Sequence, residues 1–187
     1  SKSLFNIHFS KLPKYRGVYT SLFPLLHGET ESGVTLHKID EGIDTGEIID
    51  QITFSIQEIR SSRDLYFTYM KNAKILIDKN LESLVEGNFV SFPQPTQNAS
   101  YFSRSSINLS SINVNFKKDA KGVINQIRAF SFREYQLPVC FNYPICEAYN
   151  TDIPSKLKAG SLIENTKDFI IISTEDFDIK LIKNYIK

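Results

Sequence analysis

Three polar residues near the start of the chain could together transfer an acyl group between two nitrogen atoms. Asn6 and His8 are two positions apart, so on a β-strand both side chains would face the same carbonyl group. Asp44 follows in a glycine-bearing loop at residues 40–46. An amide N–H can stabilise an oxyanion, and an imidazole can accept the proton of an attacking amine. A carboxylate beside the imidazole would raise its basicity, so we treat the three as candidate catalytic residues.

Each motif on its own also has a plainer structural explanation. An Asn-x-His triplet at a strand end commonly makes structural hydrogen bonds. Asp44-Thr45-Gly46 commonly forms a turn in which the carboxylate accepts from backbone N–H groups. Residues 12–17, which read Leu-Pro-Lys-Tyr-Arg-Gly, would form a surface loop with an extended arginine. The order in which the three motifs occur is what favours a common site.

The hydrophobic pattern predicts the elements that would hold these motifs. Strands are predicted at residues 4–8, 33–39 and 48–56, so the Asn-x-His pair ends a buried strand and the aspartate loop joins two others. The first strand is expected to belong to a parallel sheet. Helices are predicted at residues 19–26, 62–86 and 119–130, and short strands at residues 139–148, 161–163, 169–174 and 179–182.

The composition is typical of a soluble globular protein. Of 187 residues, 41% are hydrophobic and 23% charged, and a net charge of +1 does not support a nucleic-acid or anionic-membrane partner. No apolar run reaches the roughly 18 residues of a membrane span, and no signal segment opens the chain. Cys140 and Cys146 lack CxxC spacing and a histidine cluster, so we expect buried thiols in a reducing compartment, no disulfide or metal site, and a cytoplasmic protein.

The three motifs resemble the signature of the folate-dependent formyltransferase family. That signature is Asn-x-His, then Ser-x-Leu-Pro-x-x-Arg-Gly, and later Gly-(Leu/Ile)-Asp-Thr-Gly. Here residues 6–8 read NIH, residues 10–17 read SKLPKYRG, and residues 42–49 read GIDTGEII. Further similarity at residues 31–37, 127–130 and 158–160 extends the resemblance over essentially the whole chain. The resemblance implies that Asn6, His8 and Asp44 form the catalytic triad.

The resemblance also implies the fold and the formyl donor. We expect an α/β protein in which residues 1–102 form the C-terminal half of a Rossmann-like formyltransferase core. Residues 103–118 would be a serine-rich linker, and residues 119–187 a small β-rich, OB-like domain. The first half of the core is expected to lie outside this sequence. The donor in this family is 10-formyltetrahydrofolate, and the expected donor-binding residues are Asp40, Glu41, Gly42, Ile43 and Asp44.

Three acceptor classes share this core: methionyl-tRNA, glycinamide ribonucleotide and nucleotide-linked amino sugars. Residues 111–187 contain eleven Lys and Arg against nine Asp and Glu, whereas a tRNA-binding domain is expected to be basic. The Leu-Pro-Lys-Tyr-Arg-Gly motif is also more similar to the sugar enzymes. Aromatic and arginine side chains could stack a base and bind a pyrophosphate, although for any single aromatic residue there a place in the core is the better-supported interpretation. The candidate acceptor-binding residues are Tyr15, Arg16, Arg128, Phe130, Phe132 and Tyr135.

These residues lead to the hypothesis of a sugar N-formyltransferase. It would transfer a formyl group from 10-formyltetrahydrofolate to a dTDP-linked 3- or 4-amino-deoxyhexose, for bacterial surface glycans such as the lipopolysaccharide O-antigen. We expect a cytoplasmic homodimer whose partner is a nucleotide-linked amino sugar, with no nucleic-acid or membrane partner. Two alternatives remain, a methionyl-tRNA formyltransferase and a non-catalytic binding module of the same fold.

Overall fold

The computed structural model describes residues 4–184, which divide into two units. The first unit contains the described residues up to Pro24, together with Glu29–Glu58 and Leu65–Ile107. The second contains Leu25–Gly28, Ile59–Asp64 and the described residues from Asn108 onward. The three-part division at residues 102 and 118 stays a prediction, because compactness alone does not show which part folds independently.

The first unit is built on a three-stranded antiparallel sheet. Strand β1 (Phe5–His8) pairs with β3 (Glu31–Lys38), and β3 pairs with β4 (Ile48–Ser55). Among the described strands β1 therefore has only an antiparallel partner, and its expected parallel neighbours, in the half of the core expected outside this sequence, stay a prediction. Strands β3 and β4 are antiparallel because the short loop between them allows only a reversal of direction. The two-residue strands β2 (Arg16–Gly17) and β5 (Tyr101–Phe102) pair in parallel.

Two helices lie at residues 23–26 and 62–86, the first after β2 and the second after β4 along the chain. Helix α1 (Phe23–Leu26) is shorter than the predicted segment, whereas helix α2 (Ser62–Glu86) begins and ends where the pattern predicted. Tyr69 of α2 is fully buried, and its hydroxyl lies 2.7 Å from Ser32 Oγ on β3. Helix α2 thus covers the sheet that carries the candidate catalytic strand. None of the helices described at residues 4–184 is long and apolar enough to cross a membrane.

The second unit combines one helix with a five-stranded antiparallel sheet. Helix α3 (Ala120–Phe130) is capped by the Asp119 side chain, which accepts from the Gly122 N–H. The sheet order is β6 (Val139–Cys140), β7 (Tyr143–Pro154), β10 (Phe177–Lys183), β9 (Phe169–Ile172) and β8 (Leu162–Asn165). Register shifts between β10 and β7 indicate bulges that curl the sheet. The predicted α/β class with a β-rich C-terminal part is confirmed.

Candidate active site

Strand β1 and the loop after β3 bring the three candidate catalytic residues together in the first unit. Asn6 and His8 lie on one face of β1, as their spacing predicted. Asp44 lies between β3 and β4. Its Oδ1 is 3.4 Å from His8 Nδ1 and accepts a hydrogen bond of 3.3 Å from Asn6 Nδ2. Their catalytic roles stay a prediction, but their convergence is a feature of the fold.

The Asp44 carboxylate is held from two sides. Its Oδ2 accepts from the Gly17 backbone N–H at 2.9 Å, and its Oδ1 lies 3.6 Å from His37 Nε2. Burial raises the pKa of Asp44, but His37, the Gly17 N–H and His8 together outweigh burial and keep this pKa below its ordinary 3.8. Asp44 is therefore ionised at neutral pH, with its charge beside the imidazole.

The contact with the Gly17 N–H requires a residue without a side chain. Gly17 has a φ of 90°, and a Cβ atom there would lie 2.1 Å from the Phe102 carbonyl oxygen. The final glycine of the Leu-Pro-Lys-Tyr-Arg-Gly motif thus positions a backbone donor for Asp44. The motif alone indicated only a loop.

His8 is buried between two hydrogen-bond acceptors. Its Nε2 lies 2.8 Å from the Tyr15 carbonyl oxygen, which can only accept, so Nε2 carries a proton here. In the neutral ring, Nδ1 then presents its lone pair towards Asp44. Burial lowers the pKa of His8 below 6.5 and outweighs the Tyr15 carbonyl and Asp44, which raise it. The pKa of His8 is therefore lowered overall, whereas the neighbouring carboxylate alone was expected to raise it. At neutral pH the ring is neutral and able to accept a proton.

A second histidine orients the Asn6 amide. His37 Nδ1 lies 2.7 Å from the Lys38 carbonyl oxygen, so this nitrogen donates, and in the neutral ring Nε2 carries the lone pair. Asn6 Nδ2 lies 3.2 Å from His37 Nε2 and 3.3 Å from Asp44 Oδ1, so each of its two N–H groups has an acceptor. The similarity at residues 31–37 includes His37 but assigned it no role. It meets Asn6 only because the antiparallel register places the two residues opposite each other.

Two cavities open beside the contact between Asn6 and Asp44. One, of about 370 Å³, is lined by Asn6, Ile7, His8, Phe9, Gly17, Thr20 and Asp44. The other, of about 270 Å³, is lined by Asn6, His37, Ile39, Asp40, Gly42, Ile43 and Asp44. We call these the His8 cavity and the His37 cavity. Because Asn6 and Asp44 line both, a group transferred from one cavity to the other would pass beside them.

The predicted donor loop forms one wall of the His37 cavity. The Asp40 carboxylate shapes this loop by accepting from the Gly42 N–H and the Thr45 hydroxyl. The exposed Ile43 gives the cavity an apolar edge, which suits one face of a flat heteroaromatic ring. All the predicted donor-binding residues except the exposed Glu41 line this cavity. Their role in donor binding stays a prediction.

Two of the predicted acceptor-binding residues, Tyr15 and Arg16, lie beside the candidate catalytic residues in the first unit. The Tyr15 ring is buried, and its hydroxyl donates to Glu29 at 2.9 Å, while its carbonyl oxygen contacts His8. The Arg16 guanidinium donates two hydrogen bonds to the side chain of Gln94, a residue that no motif indicated. The contacts described for these two side chains thus hold the loop together.

The other four predicted acceptor-binding residues lie in the second unit. Arg128 donates to the Ile59 carbonyl oxygen and to Asn125, and Phe130 is buried. The Phe132 ring lies 4.8 Å from that of Tyr135, whose side chain is 79% exposed. Of these four, Tyr135 presents the most accessible aromatic surface. Their role in binding an acceptor stays a prediction.

Two groups of formyltransferases are among the known proteins similar to this chain. The formyl transferase family matches residues 1–79. Methionyl-tRNA formyltransferases of Staphylococcus aureus (strain MW2) and Clostridioides difficile (strain 630) are 30% and 31% identical over 185 and 175 residues. These alignments cover 96% and 91% of this chain but 58% and 55% of the relatives. The chain thus spans just over half the length of these curated relatives.

Two solved structures are more similar in sequence. WlaRD, a sugar 3N-formyltransferase crystallised with dTDP and 5-N-formyl-THF, is 45% identical to this chain and has a TM-score of 0.89. The match covers 98% of this chain and 66% of that one. An N-formyltransferase from Helicobacter canadensis, in complex with folinic acid and dTDP-3-aminofucose, is 44% identical to this chain and has a TM-score of 0.87. The match covers 97% of this chain and 66% of that one. From the matching family, these relatives and the shared fold, we conclude that the chain belongs to the formyl transferase family.

Proposed function

We propose that this chain carries the transfer centre of a nucleotide-sugar N-formyltransferase. The observation that carries the proposal is the pair of cavities that share Asn6 and Asp44. A transfer between two bound molecules needs two adjacent sites with the catalytic groups between them. In this proposal the formyl donor, 10-formyltetrahydrofolate, occupies the His37 cavity, and the amine of a dTDP-linked amino-deoxyhexose enters the His8 cavity.

The residues between the cavities have the properties that the transfer requires. The sugar amine would attack the formyl carbon, forming the new C–N bond and leaving negative charge on the formyl oxygen. Asn6 would turn one N–H from its present acceptor to that oxygen. His8, neutral at neutral pH, would accept the proton of the amine, and the Asp44 carboxylate would stabilise the resulting imidazolium. The C=O bond then re-forms, the bond from the formyl carbon to the donor nitrogen breaks with its electron pair going to that nitrogen, and the nitrogen takes the proton held by His8.

The 3-amino position is the better supported of the two amine positions. WlaRD, at 45% identity, is a sugar 3N-formyltransferase that was crystallised with dTDP. The Helicobacter canadensis enzyme, at 44% identity, is in complex with dTDP-3-aminofucose. The 30–31% identity with methionyl-tRNA formyltransferases favours a second candidate acceptor, methionyl-tRNA. The near balance of eleven basic and nine acidic residues at positions 111–187 weighs against a polyanionic tRNA.

The test is a comparison of His8→Ala with His27→Ala in the full-length protein. His27 is exposed in the second unit, so it serves as a matched histidine control. With 10-formyltetrahydrofolate and a dTDP-3-amino sugar, His8→Ala is expected to lower kcat by about 10²–10⁴-fold, the usual effect of losing a general base. Activity of His8→Ala close to that of His27→Ala would refute the proposed role.

A second experiment separates the candidate functions. The full-length protein is offered dTDP-amino sugars and methionyl-tRNA in parallel, each with the same donor. The proposal expects turnover of the sugar and weak tRNA binding that changes little with salt, because few phosphates would be contacted. Turnover of the tRNA would support the alternative acceptor. Tight binding of donor and sugar without turnover of either acceptor would indicate a non-catalytic module.

We also propose a cytoplasmic homodimer that acts in bacterial surface-glycan synthesis, including the lipopolysaccharide O-antigen. A supporting feature is the exposure of large apolar side chains in the second unit, which favours an interface with a second copy. Val139, Ile153 and Ile163 are 61%, 56% and 42% exposed. Light scattering of the full-length protein would test this, and a monomer at micromolar concentration would refute the dimer.

A further inference from the structure

Gln94 makes four hydrogen bonds around the loop that carries Asp44. Its Nε2 donates to the carbonyl oxygens of Asp44 and Gly46, both at 2.8 Å. Its Oε1 accepts from Arg16, at 2.7 Å from Nη2 and 3.1 Å from Nε. A glutamine amide has two N–H donors and two acceptor lone pairs. Every hydrogen-bonding position of this side chain is therefore used at the candidate active site.

The two donated bonds fix an unfavourable backbone conformation. Asp44 has a φ of 55°, in the left-handed region that residues with a Cβ atom disfavour. Such a conformation persists where the surroundings determine it. Gln94 holds Asp44 through its carbonyl oxygen, while the Gly17 N–H holds the same residue through Oδ2. Together these bonds direct Asp44 Oδ1 towards His8 and Asn6.

The two accepted bonds connect the same amide to strand β2. Arg16 directly precedes Gly17, the residue whose N–H donates to the Asp44 carboxylate. One glutamine therefore holds both the aspartate loop and the strand that supplies the backbone donor of the aspartate. Gln94 is not among the residues that line the His8 and His37 cavities, so it has no described contact with the space for the reacting molecules.

We propose that Gln94 is a positioning residue of the transfer reaction, acting through Asp44 on His8, an inference that rests on the function proposed above. Its task is to maintain the 3.4 Å separation of Asp44 Oδ1 and His8 Nδ1 and the 3.3 Å contact with Asn6. Movement of the carboxylate by about 1 Å is enough to reduce turnover strongly. A purely structural residue would affect stability but not the titration of His8.

The first test compares Gln94→Ala and Gln94→Glu with the control Gln97→Ala in the full-length protein. Glutamate keeps the size of the side chain and an acceptor for Arg16, but it places an oxygen against the carbonyl oxygens of Asp44 and Gly46. Both Gln94 variants are expected to lower kcat by about 100-fold, with little change in KM. Wild-type kcat in Gln94→Glu would overturn the inference.

The second test asks whether Gln94 acts through Asp44. If it does, Gln94→Ala in an Asp44→Asn background is expected to lower kcat by less than about twofold further, because residues that act as a unit are not additive. A full 100-fold further loss in that background would overturn the proposed route. Should Gln94→Ala fail to fold, as judged by circular dichroism, Gln94→Glu replaces it in both tests.

A third test does not depend on turnover. The Asp44 charge raises the pKa of His8, so displacement of the carboxylate in Gln94→Ala is expected to lower this pKa further in an NMR titration. Gln97→Ala should leave the titration unchanged. If the wild type transfers no formyl group but the titration shifts, the proposed function fails and the positioning role stands. If the wild type is active and the Gln94 variants change neither kcat nor the titration, the positioning role fails.

Discussion

The polar cluster around Asp44 in the first unit and the aliphatic core of the second unit are stabilised by different forces. Around Asp44, Asn6 and the Gly17 N–H donate hydrogen bonds to one carboxylate, and the rings of His8 and His37 lie 3.4 and 3.6 Å from its Oδ1. In the second unit, side chains with no exposed surface fill the space between α3 and the sheet: Val123, Ile127, Ile145, Ile170, Ile172, Ile179 and Leu181. Activity should therefore depend on single atoms in one unit, and stability on side-chain volume in the other.

The largest expected effect comes from Asp44→Asn, which keeps the shape of the side chain and removes its charge. We expect kcat to fall by about 10³–10⁴-fold, because the carboxylate no longer stabilises protonated His8. The melting temperature should change little. The control is Asp78→Asn, at an exposed carboxylate on α2. Activity of Asp44→Asn within tenfold of that control would mean that the polar cluster is not the transfer centre.

The second largest effect is on stability and concerns the aliphatic core. Leu181 has no exposed surface, so Leu181→Ala should lower the free energy of unfolding by about 2–5 kcal/mol through lost burial and a new cavity. Urea unfolding would measure the change, with Leu157→Ala, at a 54% exposed side chain, as control. The kcat per folded molecule should remain near wild type. A large loss of kcat in soluble, folded Leu181→Ala would contradict the division of roles between the two units.

A smaller effect is expected for His37→Phe, which preserves a planar ring but removes the acceptor for Asn6. The Asn6 amide should lose its fixed orientation, and kcat should fall roughly tenfold. His27→Phe provides the control for replacing a histidine with phenylalanine. Equal kcat values for the two variants would show that the contact between His37 and Asn6 does not contribute to turnover.

The smallest effect is a shift along the pH axis. Because burial lowers the pKa of His8, the acid limb of kcat/KM should have its midpoint below 6.5. As pH decreases, His8 takes up a proton at a higher pH in the unfolded chain than in the native protein. The free energy of unfolding should therefore fall as pH decreases from about 6.5 towards the native pKa. His8→Gln should reduce this pH dependence of stability. An acid limb above pH 6.5 would contradict the inferred burial of the base.

Much of the fold was predictable because it depends on local pattern. The apolar period over residues 62–86 predicted α2 with its observed bounds, and the alternation of short apolar runs predicted the strands of the second unit. The direction of strand pairing was not predictable. The short apolar run of β1 does not show which strand lies beside it, so only the structure showed its antiparallel pairing with β3.

The sequence by itself determined which residues could carry the transfer chemistry, because Asn6, His8 and Asp44 occur in motifs with a fixed order. Only the tertiary structure decided how they are held. The antiparallel register placed His37 against Asn6, and a residue fifty positions away, Gln94, came to hold the Asp44 carbonyl. The pKa of His8 was likewise decided by burial, which outweighs its charged neighbour. Burial and long-range contacts depend on the whole packed chain, so they could not be predicted from any local motif.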